Sequence, residues 1–370
     1  MYKDQFYMNR ALEIAQKGRF TVTPNPNVGC VIVKNNVIVG EGFHQKTGNA
    51  HAEILALEMA KEKAKNATVY VTLEPCSHYG HTPPCAKALI KAGVSRVVVA
   101  MKDPNPKVSG MGINMLLKAG LKIKKNVFLK KAETINRGFI KRMRTGIPYI
   151  RLKLACSLDG KIALKSGKSK WITCIDSRKD VQKLRSESCA ILTTSKTVII
   201  DNPSLTVRWH ELPLNIKEDY KEKQLRQPIR IVLDKKNLIT PNHKITQLEG
   251  KCLLIRSCLH NDIKWKGDVE EVFFNFEYQY NNLINLMIKL GSKKINTILV
   301  ESGSKFATSL IKFNLFDELI IYIAPKFFGK DACNLVDFSG INIISDAPKF
   351  KFSNIKKIGN DLRITIYNKK

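Results

Sequence analysis

The sequence predicts an α/β protein built as two successive domains, residues 1–146 and 147–370. Three observations lead there. Apolar runs of strand length alternate with helical periodicities along the chain, the pattern of layered sheets with largely parallel strands. At 370 residues the chain exceeds one typical core. Near "RTGIPYI" the pattern breaks, because Gly146 and Pro148 end a basic helix before a fresh strand begins at Tyr149. No Ser/Gly-rich tract separates the halves, so the junction is not a flexible linker.

In the first domain, Asp4 as N-cap and Gly18 as stop bracket an amphipathic helix. "VGCVIV" and "VIVGEG" flank Lys34-Asn35-Asn36 and read as a β-hairpin, with Cys30 in its apolar core. "AEILALEMAKEKA" has helical period and good helix formers. "ATVYVTLEP" reads as a buried strand running to Pro75, "CAKALIKAG" as a helix closed by Gly93, and "SRVVVAM" as a further strand. "GINMLLKAG" and "LKIKKNVF" continue the alternation.

The second domain opens with "YIRLKLACSLDGKIA" and alternates through "AILTTSKTVII", "PIRIVLD", "KCLLIRS", "VEEVFFNF", "NLINLMIKLG", "TILVESG", "FATSLIKFN", "ELIIYIAPKFF" and "LRITIYN". The polar run from Glu211 to Gln227 reads as an excursion or mobile loop.

Composition narrows the function classes. No run approaches 18 apolar residues, so no membrane span is predicted. The N-terminus is charged throughout and lacks the apolar core of a secretion signal, which predicts the cytoplasm and reduced cysteines. The net charge is +30, but its lysines are spread from Lys3 to Lys370. That spread reads first as a solvated surface, second as a field that helps gather anionic substrates, and last as a dedicated nucleic-acid face.

The chemistry concentrates in "EPCSHYGHTPPC", Glu74 to Cys85, and in "HAE", which adds His51 and Glu53. Catalytic zinc takes three protein ligands and leaves a position for water. His51, Cys76 and Cys85 supply such a set, with two thiolates balancing the charge of the ion. Cys85 opens a helix, where dipole and free amides favour a thiolate. Glu53, two positions after a ligand, can reach the water without binding the metal, the His-x-Glu and Pro-Cys logic of base deaminases. His78 or His81 as a fourth ligand would close the site; both also suit a loop facing substrate. Asn25 and Asn27 in "TPNPNVGC" suit either a tight loop or hydrogen bonds to a heterocycle. In the second half no G-x-G-x-x-G occurs, so a Rossmann site is not predicted. "TILVESGSKFATSLI" does offer a strand, a small-residue turn and a helix N-terminus suited to a phosphate.

"PNPNVGCVIV", "HAE" and "TLEPCSHYGHTPPC", with the eight-residue gap between the cysteines, resemble the deaminase domain of bifunctional riboflavin-biosynthesis deaminase-reductases. The resemblance continues through "DPNP", "NRGFIKRMRTG", "LKLACSLDGKIA", "WITC", "TVIIDNPSLTVR", "VESG" and "DELIIYIAPKFFG", nearly the whole chain. It implies an N-terminal cytidine-deaminase-like three-layer domain and a C-terminal dihydrofolate-reductase-like α/β domain. It implies zinc-dependent hydrolytic deamination of a phosphoribosylaminopyrimidine, then NADPH-dependent reduction of the ribosyl chain to ribityl. By position it makes His51, Cys76 and Cys85 the ligands of one zinc per chain and Glu53 the proton shuttle. It makes Ala155, Trp171, Thr197, Asp201, Gly303, Ser304, Lys305, Phe306, Ala307, Thr308 and Ser309 cofactor contacts. Ser169, Arg185, Leu205, Arg208 and Glu301 become substrate contacts, the two arginine forks suiting a phosphate. Lys153, Asp201 and Glu301 are candidates for the reductase proton donor. A homo-oligomer is expected from the family's habit.

Overall fold

A computed structural model describes residues 2–78, 83–106, 108–259, 262–276 and 280–368. The chain divides into two compact units, Met1–Gly146 and Ile147–Lys370.

The first unit runs α1 (Tyr2–Ala15), β1 (Gly29–Lys34), β2 (Val37–Phe43), α2 (Ala52–Ala60), β3 (Thr68–Val71), α3 (Cys85–Lys91), β4 (Arg96–Val99), α4 (Met111–Lys118), β5 (Lys122–Lys125), α5 (Leu129–Ile135) and α6 (Arg137–Thr145). Its sheet has the order β2-β1-β3-β4-β5. The first two pairings are antiparallel and the last two parallel. The hairpin turns on Asn35 and Asn36, both at positive φ (51° and 64°), which twists the turn with its strands. Alternation along β1 gives each sheet face its own core. Cys30 and Ile32 pack with Ala52, Ala56, Ala86, Leu89 and Leu116 on one side. Val31 and Val33 pack with Met8, Ala11, Leu12, Ala132 and Ile140 on the other. Three layers result, as the resemblance implied.

Two expectations need correcting here. The β3 ladder stops at Val71, leaving Thr72 to Pro75 as a connection that leads the ligand loop off the sheet. Asp4 lies inside α1, in its first turn, and is no N-cap. Its buried carboxylate accepts both Arg96 Nη atoms at 2.8 Å, Lys124 Nζ at 2.7 Å and the Tyr70 hydroxyl at 3.0 Å. Hydrogen bonding from Arg96, outweighing burial, holds its carboxyl well below the usual range. A folded-state pKa below the unfolded one stabilises at neutral pH, and that stabilisation fades as pH falls. Asp4→Asn is therefore expected to lose about 1–2 kcal/mol at pH 7, an estimate discounted for the partly exposed cations. Urea unfolding should show the deficit shrinking as pH drops below about 4.

The second unit runs β6 (Tyr149–Ser157), β7 (Lys161–Ala163), α7 (Ile175–Glu187), β8 (Ala190–Thr194), α8 (Ser195–Asp201), α9 (Leu214–Asp219), β9 (Ile229–Asp234), β10 (Cys252–Arg256), β11 (Val269–Phe273), α10 (Tyr280–Ser292), β12 (Thr297–Glu301), α11 (Ser304–Lys312), β13 (Glu318–Ala324), β14 (Cys333–Asn334), β15 (Asn354–Ile358) and β16 (Asp361–Tyr367). Nine strands pair in the order β11-β10-β9-β8-β12-β6-β13-β16-β15. Strands β11 through β13 are parallel, and β16 and β15 add antiparallel pairs at one edge. Helices α10 and α11 cover one face; α7 and α8 cover the other.

"AILTTSKTVII" is not one strand. It divides at Ser195 into β8 and α8. The run from Glu211 to Gln227 is an excursion, but a packed one. Leu212, Ile216 and Tyr220 are buried, and Trp209 Nε1 donates to the Tyr220 carbonyl at 2.9 Å.

Candidate functional site

His51 is the N-cap residue of α2, and Cys85 is the first residue of α3. Cys76 follows the connection out of β3. The two helix starts and the loop bring one ligand atom from each of the three residues within 4.8 Å of one another. His51 Nδ1 stands 3.3 Å from Cys85 Sγ and 3.6 Å from Cys76 Sγ. A tetrahedral zinc with ordinary Zn–S and Zn–N bonds requires N-to-S edges of about 3.6 Å, so the donor set fits that ion without rearrangement. The Cys85 backbone N–H donates to Cys76 Sγ at 3.2 Å. Donation from the Cys85 thiol, then from His51 and that amide, pushes the Cys76 thiol down to about 4. Cys85, which keeps the shared proton, is pushed up. A thiolate is thus already favoured where a cation would bind.

Glu53 is 3 % exposed and lies in the first turn of α2, two residues after His51. Burial, then the charge of Cys76, raises its carboxyl to about 7. Cys76, His51 and Cys85 all act on its carboxyl group, which therefore stands beside the three ligands while lying outside their cluster. This places a carboxyl group able to take and return a proton near neutral pH.

The helix carrying His51 and Glu53 sits very close to β2. A Cβ on Gly42 would fall 2.5 Å from the Ala52 carbonyl oxygen, and one on Gly40 would fall 2.2 Å from that of Ala56. Neither contact is tolerable, so glycine sets the helix-to-strand spacing. Gly42→Ala is expected to destabilise the first unit by about 1–3 kcal/mol through overpacking. It should also weaken zinc retention by displacing His51; thermal unfolding with and without a chelator measures both.

His44, Asp103 and Glu74 escaped the sequence reading. His44 is buried, its Nδ1 3.2 Å from the Ala50 carbonyl and its ring edge-on to His51, with centroids 5.4 Å apart. Burial pushes its pKa down, leaving a neutral ring. Asn25 Nδ2 stands 3.0 Å from His44 Nε2, so Asn25 reaches this histidine pair. Asn27 instead is tied to the start of α6 through Asn136 and the Ile135 carbonyl. Asp103, in "DPNP", feels the charges of Glu74, His78 and Cys76, and burial pushes its carboxyl up. Glu74 is almost fully buried. An acidic residue between a buried strand and Pro75 was the available signal for it. His81 lies outside the described residues.

In the second unit the nominated residues gather at the carboxyl ends of the central parallel strands, where open α/β sheets bind ligands. Ala155 is on β6, Glu301 ends β12, Gly303 caps α11, and Thr197 and Asp201 lie on α8 after β8. Ser169 donates to Asp201 at 3.0 Å. Glu301 stands opposite Lys153 in the β12–β6 pairing. Burial opposes its ionisation, but Arg185, then Lys153, outweigh that and hold it low. Burial pushes Lys153 down, with Glu301 opposing.

Several nominated side chains are otherwise engaged. The Arg185 fork holds both Glu301 oxygens at 2.7 and 3.1 Å and the Thr206 carbonyl at 3.1 Å. Arg208 pairs with Glu211 at 2.6 and 2.7 Å. Leu205 and Ala307 are core residues, and Thr308 Oγ1 accepts the Asp337 amide. The side chains of these three face inward, which leaves the main chain to meet a ligand. Ser304, Lys305 and Phe306 contribute first-turn amides, which have no acceptor within their helix. Ser309 donates back to the Lys305 carbonyl. Trp171 is not core packing: it is 63 % exposed, with Arg178 stacked 4.5 Å from its ring centre.

Comparison with known proteins matches each of the two units to a family. A family model described as the cytidine and deoxycytidylate deaminase zinc-binding region matches residues 1–101. One described as the RibD C-terminal domain matches residues 148–364. The Escherichia coli K12 riboflavin biosynthesis protein RibD is 52 % identical over 97 % of this chain and 98 % of its own length. Its Haemophilus influenzae counterpart is 50 % identical over 98 % and 97 %. The Acinetobacter baumannii RibD structure (form 2) superposes with a TM-score of 0.91 at 37 % identity, covering 100 % of this chain and 99 % of that one. A Thermotoga maritima deaminase/reductase gives 0.86 at 31 %, with the same coverage. Among the described residues no helix is long and apolar enough to cross a membrane. With a zinc-type deaminase unit followed by a reductase unit, the chain belongs to the RibD family of bifunctional riboflavin-biosynthesis enzymes.

Proposed function

We propose that the first unit deaminates a diaminohydroxyphosphoribosylaminopyrimidine and that the second reduces the resulting phosphoribosylaminouracil, the two activities in the name of the Thermotoga relative, with NADPH as reductant. The observation that carries the first half is the converging His51, Cys76 and Cys85 with Glu53 buried beside them. These three residues would hold zinc, which when bound activates a water for attack at neutral pH. Glu53 takes the proton of the attacking water and gives it to the ring nitrogen, then carries the proton of the newly added hydroxyl to the departing amine as the C–N bond breaks. The products are the ring carbonyl and ammonia. Gly42 and Gly40 keep Glu53 in register with the ligands.

For the second half, the phosphates of NADPH suit the start of α11, and the ring suits the strand ends around Ala155, Thr197 and Asp201. Ser169, Arg208 and Glu301 border the substrate position, with Arg185 orienting Glu301. Lys153, Asp201 and Glu301 are the groups able to donate a proton as hydride reaches the sugar carbon. We place the chain in the cytoplasm, supported by nine cysteines that form no disulfide among the described residues. We propose that it forms homo-oligomers. Ile343, Ile344, Phe352 and Ile355 are exposed near the edge strand β15, where an uncovered edge invites pairing.

The purified chain, given the diaminopyrimidine ribotide and NADPH, should release ammonia and oxidise NADPH. Zinc bound without either signal would refute the enzymatic reading. Ammonia alone would leave only the first activity.

A further inference from the structure

We propose that Glu74 is a positioning residue: its carboxylate sets the loop bearing Cys76 against the loop bearing Asp103, and so shapes the deaminase site from outside. The inference rests on the deaminase reading above.

Helix α4 starts with Gly110 as N-cap, a residue with no side chain to satisfy the first-turn amides. Glu74, distant in sequence, does that work. Its Oε1 accepts the Ile113 amide at 3.1 Å, the third residue of the helix. Its Oε2 accepts the Gly110 amide at 2.9 Å and the Asp103 amide at 3.1 Å. Three N–H groups converge on this side chain, two from the start of α4, where an anionic acceptor is favoured, and one from the loop of Asp103. The chain is then clamped on both sides of this carboxylate. The Glu74 amide donates to the Met101 carbonyl at 2.9 Å, and the Cys76 carbonyl accepts the Ala86 amide at 3.1 Å. Between them Pro75 is pressed on α4, since a Cβ at Gly112 would lie 1.9 Å from its carbonyl oxygen. Residues 74–76 therefore link α4, the "DPNP" loop and α3 in one rigid run, and the metal ligand is its last member.

The test compares Glu74→Gln and Glu74→Met in the full chain. Three quantities are followed: zinc loss to a chelator, kcat and KM for ammonia release, and NADPH oxidation on the deaminated substrate. Gln keeps one acceptor oxygen but turns an N–H toward an N–H; Met keeps the volume and no acceptor. Zinc loss about tenfold faster and kcat about tenfold lower are expected for Met, with Gln between Met and wild type, as for other supports of metal ligands. NADPH oxidation should stay within twofold. Met equal to or better than Gln would show a packing role and overturn the proposal. Should the Met variant fail to fold, wild-type zinc retention and kcat in Glu74→Gln would overturn it alone. A wild-type chain that binds zinc but releases no ammonia would sink the deaminase reading, leaving the chelator competition to judge Glu74.

Discussion

Glu53→Gln is expected to lower ammonia release by about 10²–10⁴-fold, the range for loss of a general acid–base group. Zinc content and NADPH oxidation on the deaminated substrate should not change. Gln matches the volume of Glu in a pocket where the side chain is 3 % exposed, so packing survives. What disappears is the ability to hold a proton between two transfers. Burial already lifts this carboxyl to about 7, close to the working pH, where taking and giving a proton are both accessible. Near-normal turnover in the variant would remove Glu53 from the reaction. Loss of zinc would instead make it a support of the ligands. Metal analysis of the same preparation separates these outcomes.

The largest stability effect is expected at Arg256, a residue used by neither site. Its side chain is fully buried at the end of β10. Nε reaches Asp234 at 3.1 Å, Nη1 reaches Glu271 at 3.2 Å, and Nη2 donates to the Ile239 carbonyl. Strands β9, β10 and β11 thus meet at one guanidinium. Arg256→Leu leaves the Asp234 carboxylate in the core with only the Leu238 and Ile239 amides. Stranding a buried charge costs about 3–5 kcal/mol, so denaturant unfolding should move to much lower midpoint. Adding Asp234→Asn to that variant should recover part of the loss, because the stranded charge is gone. No recovery would mean that the arginine acts through volume.

Much of this molecule was legible because its chemistry is local in sequence. Cys85 opening a helix and His51 preceding one could be read from "PPCAKALIKAG" and "HAEILALEMA", and both helices are present. The α/β layering followed from apolar alternation. Helix α7 was not legible as an element, because only Val181 and Leu184 among its buried residues are apolar. Its other contacts are polar: Asp180 accepts the Tyr322 hydroxyl at 2.5 Å and Arg363 at 2.9 Å, Arg185 grips Glu301, and Glu187 meets Arg151. Two apolar positions are too short a stripe to reveal such a face. Arg230 and Arg256 were hidden differently. The chain has 62 lysines and arginines, and nothing in the one-dimensional pattern separates these two, which are wholly buried among the described residues. Asp4 was misread for a related reason: its partners Arg96 and Lys124 lie 92 and 120 residues away. Trp171 was open to a core reading because an indole carries no mark of its exposure.

Glycines Gly40 and Gly42 have a consequence beyond stability. Under α2 the bearing surface at Gly40 and Gly42 is mostly main chain against main chain, with only the Cβ atoms of Leu55 and Ala60 beside it. The height of His51 and Glu53 above the sheet is therefore insensitive to which apolar residues fill the core elsewhere. Side chains around it are free to exchange as long as volume is kept. A lysine-rich chain of unusual composition can thus hold its metal ligands at the same standoff as relatives built from different residues.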